Sequence, residues 1–376
     1  ERDTVISFDY PLTVLVGKNG TGKSTVLKLL KTLSIKRKPD DYFFETAIDP
    51  EDAQKEYIYS FEVEGTTYVN FKKKKRWILI NDLKDLDKLN SFEEIDNYLK
   101  SKNISKPDIS ISDIEFKTLI GAFDKSLFFD NISRSQNMGK KINYTVKQST
   151  KIIQNKNDKS SNKIATYLSV EELKEVNYIL GKNYTSIIIF KHRYFSGTWG
   201  VTAQFTNDRT YSEFNSGSGE FIIASTVNQL RTVPNNSILL LDEPEISIHP
   251  GAQKRFMEYV LKMILAKKLQ VIISTHSPSI IEKLPSICIK NFTVNGDNKI
   301  EINEKTNHLE AFYNLECSFD KKNIIVEDDL AGDILLALCS EEGFLNLFEI
   351  NYFPGGAESI KTLLITAFSK SDTKDR

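Results

Sequence analysis

Cysteine is scarce in this chain. Cys288, Cys317 and Cys339 stand far apart among 376 residues. That spacing fits neither a disulfide framework nor a cluster of metal ligands, and ordinary buried thiols in a reducing compartment are expected. Net charge is lacking as well: 50 Lys and Arg against 51 Asp and Glu leave −1, so a polyanion could be recognised only by a local patch. Long apolar runs are missing. Ser237–Leu241 and Val271–Ile273 are strand-length, against the roughly 20 residues of a membrane span. With no secretory segment at the amino end, the expected compartment is the cytoplasm, with no membrane partner. No internal repeat is visible, and no sustained heptad run between Asp82 and Gly181, which argues against a long coiled-coil arm. What remains is the composition of a folded protein, 40% apolar and 27% charged. Its length suits two domains or one large domain with insertions. The ends, Glu1 and Arg376, read as those of a fragment.

Against that background one motif is dense with information. Gly17-Lys18-Asn19-Gly20-Thr21-Gly22-Lys23-Ser24-Thr25 follows an apolar run, Leu12–Val16, and opens an amphipathic stretch from Lys23. Strand, glycine loop and helix in that order form a phosphate-binding P-loop. The glycines let backbone N–H groups turn inward around phosphate oxygens, and the helix start adds its positive dipole end. Lys23 is expected at the β- and γ-phosphates, with the Ser24 hydroxyl on Mg²⁺.

Three further motifs fall in a consistent order. Ile238-Leu239-Leu240-Leu241-Asp242-Glu243-Pro244 is an apolar strand ending in two carboxylates. Beside a P-loop, Asp242 is expected to bind Mg²⁺ and Glu243 to act as general base toward water. Ser274-Thr275-His276-Ser277-Pro278 closes the strand after it, and His276 is placed to hydrogen-bond a γ-phosphate. Asn215-Ser216-Gly217-Ser218-Gly219-Glu220 opens an apolar helix. A second phosphate-binding loop serves the same nucleotide only if another subunit supplies it, so Ser216, Gly217, Ser218 and Gly219 are read as a trans contact.

Together these motifs resemble an ABC-type ATPase head. More narrowly, they are similar to the OLD (overcoming lysogenization defect) ATPases and related bacterial defence ATPases. The resemblance implies ATP and Mg²⁺, head-to-head pairing of subunits or a higher even oligomer, and control of an effector protein or fused nuclease in anti-phage defence. It also implies a Mg²⁺-touching glutamine, for which Gln136 is the candidate beside Gln54, Gln148 and Gln204. A head related to the RecF or SMC type is the alternative.

The fold class expected is α/β: an ABC-type head over 1–302, with an antiparallel β subdomain and a helical insertion at about 82–185. A hinge at 303–320 and a second α/β unit over 321–376 follow. Ile324-Ile325-Val326-Glu327-Asp328-Asp329 and Tyr352-Phe353-Pro354-Gly355-Gly356 resemble the start of a TOPRIM domain. That resemblance makes Glu327 a metal ligand or general base in phosphodiester cleavage. The usual later aspartate pair is missing, so either an ATP-regulated nuclease or an inactive docking module is expected there. Lys72–Arg76 and, more weakly, Lys151–Lys163 are nucleic-acid backbone patches or simply solvated faces.

Overall fold

The computed structural model describes residues 4–44, 57–73, 76–81, 84, 89, 91–102, 104, 106–121, 165–194, 198–296, 299–314, 322–341, 348–352, 358 and 361–362. The chain divides into two compact units, Glu1–Thr306 and Asn307–Arg376.

The first unit opens with β1 (Leu12–Gly17) and α1 (Lys23–Lys31), then β2 (Tyr57–Val63), β3 (Thr66–Lys73), β4 (Arg76–Ile80) and α2 (Phe92–Ser101). Next come β5 (Ile111–Glu115), β6 (Ala165–Tyr167), α3 (Val170–Leu180), β7 (Ser186–Tyr194), β8 (Thr198–Thr206), β9 (Thr210–Ser212) and α4 (Ser218–Thr232). It closes with β10 (Ile238–Asp242), α5 (Pro250–Lys267), β11 (Gln270–Thr275), α6 (Pro278–Ile281), β12 (Ile289–Val294) and β13 (Ile300–Asn303).

The central sheet has the order β13-β12-β1-β11-β10-β5, parallel except for the β12–β13 edge. Its middle strands are continuous apolar runs because both faces are covered. Leu15, Leu240, Ile272 and Phe292 pack with Leu27 of α1 on one face. Strand alternation sends Val14, Val16, Leu239, Leu241, Val271 and Ile273 to the other, and all six are buried. Register brings the carboxyl ends level: Val16 lies opposite Thr275, Gly17 opposite Phe292, and Asp242 opposite both Ser274 and Glu115.

Two antiparallel sheets flank this core in sequence. β2-β3-β4 turns at Glu64-Gly65, both with positive φ, as a two-residue hairpin of this twist requires. Val69, Phe71, Ile78 and Ile80 form a small core there with Leu89 and with Ile95 of α2. The β6-β7-β8-β9 sheet carries the aromatic packing of Tyr184, Phe205 and Tyr211. Capping boxes start α2 and α3, Ser91 with Glu94 and Ser169 with Glu172, each a Ser-x-x-Glu step in the sequence. α3 packs against α4 and α5.

The stretch 82–185 is less purely helical than its composition suggests. It supplies β5, the edge of the central sheet. Ile-Ser-Asp-Ile-Glu carries little apolar signal, because an edge strand is held by pairing on one side and its acids are used elsewhere. Asp113 and Glu115 grip Lys31 of α1 at 2.8 and 2.5 Å. Residues 122–164, with Gln136 and Gln148, lie outside the described residues, as does Gln54.

In the second unit α7 (His308–Asn314) occupies part of the stretch expected to be a hinge, its first turn held by Glu310 N–H donating to Asn307 Oδ1 at 2.9 Å. β14 (Lys322–Val326), α8 (Asp329–Glu341) and β15 (Phe348–Tyr352) follow, with the two strands parallel. A parallel pair needs such a helical crossover. Among the described residues no helix is long and apolar enough to cross a membrane.

Candidate functional site

The P-loop sits at the carboxyl end of β1. Gly17 adopts φ +153, and a Cβ there would run into the Phe292 carbonyl of β12. Gly20 and Gly22 stand at φ +81 and +90, in the left-handed region that glycine enters without steric cost. Nothing lies within 4 Å of a Cβ built on Gly20. Asn19, Gly20 and Thr25 are exposed at this turn.

Lys23 is nearly buried, yet its ammonium donates to neutral groups, the Gly17 carbonyl at 2.7 Å and the Lys18 carbonyl at 2.9 Å. Burial lowers its pKa to about 8, against the opposing pull of Glu243, Glu245 and Asp242. A buried cation satisfied by carbonyls, beside an open glycine turn at a helix start, fits a phosphate group.

Across the sheet edge, Asp242 ends β10. Its Oδ1 accepts from Ser24 Oγ at 3.3 Å and from Ser274 Oγ of β11, and its Oδ2 pairs with Lys117 at 3.4 Å. Ser24 and Asp242 therefore present hard oxygen donors within reach of each other, the donor type that suits Mg²⁺. Among the described residues no group of three or more His, Cys, Asp or Glu could hold a metal by itself. A divalent ion would be held here by Ser24, Asp242 and oxygens of a bound phosphate.

Glu243 follows with φ +54, an uncommon conformation for a side chain with a Cβ. Its N–H is pinned by the Ser274 carbonyl at 3.0 Å. The carboxylate lies 3.9 Å from His276 Nε2, and both side chains are part-exposed at the site. Burial and the neighbouring Lys23 lower the His276 pKa, outweighing Glu243 and Asp242, so the imidazole is neutral near pH 7. The backbone at His276 is held by Glu245, whose carboxylate accepts the His276 backbone N–H at 2.6 Å and the Thr275 hydroxyl at 2.9 Å. Burial raises the Glu245 pKa even so.

The Ser/Gly loop starts α4. Ser216 donates from N–H and Oγ to the Glu213 carbonyl at 3.1 and 3.0 Å. Gly217 and Ser218 are exposed, and a Cβ on Gly217 would meet nothing within 4 Å. Gly219 is different: a Cβ there would sit 2.5 Å from the carbonyl of Ser247, itself at φ +60. This loop is thus packed on the turn after the acidic strand. Gln253 ties that turn down, donating to the Ile248 carbonyl at 2.7 Å and accepting from Ser277 Oγ at 2.5 Å.

Lys23, Ser24, Asp242, Glu243 and His276 come together at one sheet edge. Sequence reasoning passed over Lys117, Glu245, Ser274 and Gln253. Ser274 opens the histidine motif and Glu245 directly follows the acidic one, and that adjacency to His276 and Asp242 was the available signal. Lys117 had none, because it becomes a neighbour of Asp242 only once β5 pairs with β10. Glu327 is exposed after β14, and Asp328 beside it caps α8, its Oδ1 accepting the Ala331 N–H at 2.7 Å. In the basic run, Lys72 lies opposite Trp77 in the β3–β4 hairpin and Arg76 pairs with Asp96 at 3.2 Å. Lys74 and Lys75 lie outside the described residues.

Residues 12–282, most of the chain, match the family described as "AAA domain, putative AbiEii toxin, Type IV TA system". The chain belongs to this AAA family. Its fold is that of an α/β P-loop ATPase. Over 73 residues the AAA chain is 33% identical to protein ea59 of Escherichia phage lambda, a match spanning 19% of this chain and only 14% of that protein. Among solved structures, the SMC head domain from Thermotoga maritima is similar with a TM-score of 0.38 at 15% identity, covering 80% of this chain and 91% of that one. The Smc head domain derived from Pyrococcus furiosus, with an extended coiled coil and bound to the C-terminal domain of ScpA, gives 0.40 at 12% identity, covering 83% and 93%.

Proposed function

We propose that this chain is a cytoplasmic ATP-hydrolysing switch whose subunits pair through nucleotide. The observation that carries the reading is Lys23, a buried cation on neutral carbonyls, facing Asp242, Glu243 and His276 across the ends of three adjacent strands. In this reading Lys23 and the P-loop amides bind the β- and γ-phosphates. Mg²⁺, held with Ser24 and Asp242, neutralises phosphate charge when bound. Glu243 takes a proton from the attacking water as its oxygen bonds to the γ-phosphorus and the bond to ADP breaks. Neutral His276 offers an imidazole N–H to the γ-phosphate as that group separates from ADP.

The second half of the site comes from a partner copy. Its support is the uncapped start of α4: Gly217 makes no side-chain cap, and the loop around it is exposed. Glu220 N–H donates to the Gly217 carbonyl at 2.9 Å, which leaves the Ser218 and Gly219 N–H groups to an outside acceptor. Closure would then depend on the γ-phosphate, which is what makes a nucleotide a switch. The family description names a putative AbiEii toxin of a type IV toxin–antitoxin system, which supports a link to a toxin effector; a nuclease effector and anti-phage defence are what the resemblance to OLD-type ATPases implies. A TOPRIM-like nuclease in the second unit is the other reading, supported by Glu327 at the carboxyl end of β14. It predicts metal-dependent plasmid cleavage that Glu327→Ala abolishes.

The test is Glu243→Gln with ATP and Mg²⁺. The variant should bind nucleotide, hydrolyse it about 10²–10⁴-fold more slowly and double in mass by light scattering. A monomer under those conditions would overturn the pairing, and undiminished turnover would remove Glu243 as base.

A further inference from the structure

Three side-chain clusters stand outside the roles assigned so far: the exposed apolar face of α8, the Tyr184–Tyr211–Glu220 group beside α4, and the cation on Asp242. The third carries furthest. Lys117 lies just past the end of β5, and its Nζ is 3.4 Å from Asp242 Oδ2. Asp242 is buried, while the Lys117 side chain is half exposed. The neighbouring cations are committed elsewhere. Lys23 is held by the Gly17 and Lys18 carbonyls, and Lys31 by Asp113 and Glu115. Among the described residues, the ion pair on Asp242 is therefore the one from Lys117.

The backbone beneath Lys117 is firmly seated. Phe116 is buried against Phe256, Thr118 Oγ1 donates to the Glu115 carbonyl at 2.8 Å, and Leu119 N–H donates to Phe116 at 3.0 Å. The long lysine side chain is free to swing on that base without moving the strand.

We propose that Lys117 is a displaceable counter-ion for the divalent metal. It neutralises Asp242 in the nucleotide-free protein and leaves when Mg²⁺ arrives with the triphosphate. The inference rests on the ATPase reading above. Its physical basis is charge repulsion across one carboxylate: Lys117 holds Oδ2 at 3.4 Å, and a divalent ion held by Ser24 and the Oδ1 side would repel an ammonium on the other oxygen. Occupation by Lys117 spares a buried carboxylate from being left unpaired, which is costly. It also makes metal binding a replacement of one cation by another rather than a capture by a bare anion. Lys117 thus sets how much Mg²⁺ the site requires.

The experiment uses the whole chain and a fluorescent, non-hydrolysable ATP analogue titrated with Mg²⁺, so no turnover is read. Removing a partly exposed competing ion pair should lower the Mg²⁺ concentration for half-maximal tight binding by roughly two- to fivefold in Lys117→Met. Lys117→Arg, which keeps the charge, should retain the wild-type requirement. Binding of the analogue in excess chelator should be the same in all three, which also shows that the variants fold. An unchanged Mg²⁺ requirement in Lys117→Met would overturn the proposal. So would weaker binding with and without Mg²⁺, because Lys117 would then be a phosphate ligand. If the wild-type chain bound no analogue at all, the ATPase reading itself would fail and this inference with it.

Discussion

Lys23 shows how one side chain combines two opposing demands. The site must bury a cation to make its field strong, and burial lowers the Lys23 pKa from the ordinary 10.5 to about 8. A bound phosphate favours the charged form, so nucleotide binding takes up a proton where free Lys23 is neutral. Affinity for a fluorescent ATP analogue should therefore be flat below about pH 8 and fall as pH rises above it. The slope should vanish in Lys23→Met, whose affinity is low at every pH. The free protein responds with the opposite sign. The folded pKa lies below the unfolded one, so this residue's contribution to stability rises with pH between 8 and 10.5. His276 follows the same logic. Burial and Lys23 keep it neutral, so acidification that protonates it should slow hydrolysis, with the inflection below the ordinary histidine value of 6.5.

The elements show how turns rather than strands determine precision at this site. β1, β10 and β11 place their carboxyl ends level by register alone, but Glu243 and His276 lie one residue beyond their strands, and Lys23 and Ser24 lie past the glycine turn at the start of α1. Glu243 and Ser247 both hold positive φ, and conformations of that kind survive only where neighbours over-determine them. The Ser274 carbonyl holds Glu243, and Gln253 holds the carbonyl of Ile248 beside Ser247. Gly219 makes the mechanical join between α4 and this turn. Gly219→Ala should force its methyl into the Ser247 carbonyl and cost about 1–3 kcal/mol in denaturant unfolding. Ser247→Gly relaxes a strained backbone and should be tolerated. If Gly219→Ala unfolds at the wild-type midpoint, the contact is looser than the geometry implies. Because the Ser/Gly loop opens α4, with Gly217 at its N-cap, movement of the turn after Glu243 has a direct path to Gly217.

For the whole molecule, the decisive question is whether each nucleotide site is completed by a second copy. Two defective chains answer it. Lys23→Ala lacks a working P-loop and Gly217→Asp should lack a working trans loop, so each alone should be inactive. Mixed in equal amounts, they form hybrid pairs with one intact composite site, and roughly a quarter of wild-type ATPase activity should return if pairing is two-fold symmetric. No recovery on mixing would mean that each chain encloses its nucleotide alone. Gly217→Asp should also keep its affinity for the fluorescent analogue, since its own P-loop is intact.

Local sequence was sufficient for the P-loop, the apolar strands and the two capping boxes. Each depends on contacts within a few residues: glycine at positive φ, a lysine at a helix start, a serine bonded to the N–H three residues on. The antiparallel β subdomain was legible for a similar reason, through the alternation of residues 57–71 about the Gly65 turn, while the antiparallel pairing of β6 to β9 was not. Tertiary structure alone decided the rest of the site. β5 carries too few apolar residues to announce itself, and it becomes a strand because β10 offers it a partner. Lys117, 125 positions from Asp242, gains meaning only from that pairing. Gly219 likewise looks like any loop glycine until Ser247 arrives against it. A charge or a glycine acts through the field and space around it, and those are supplied by chain that is distant in sequence and brought near by folding.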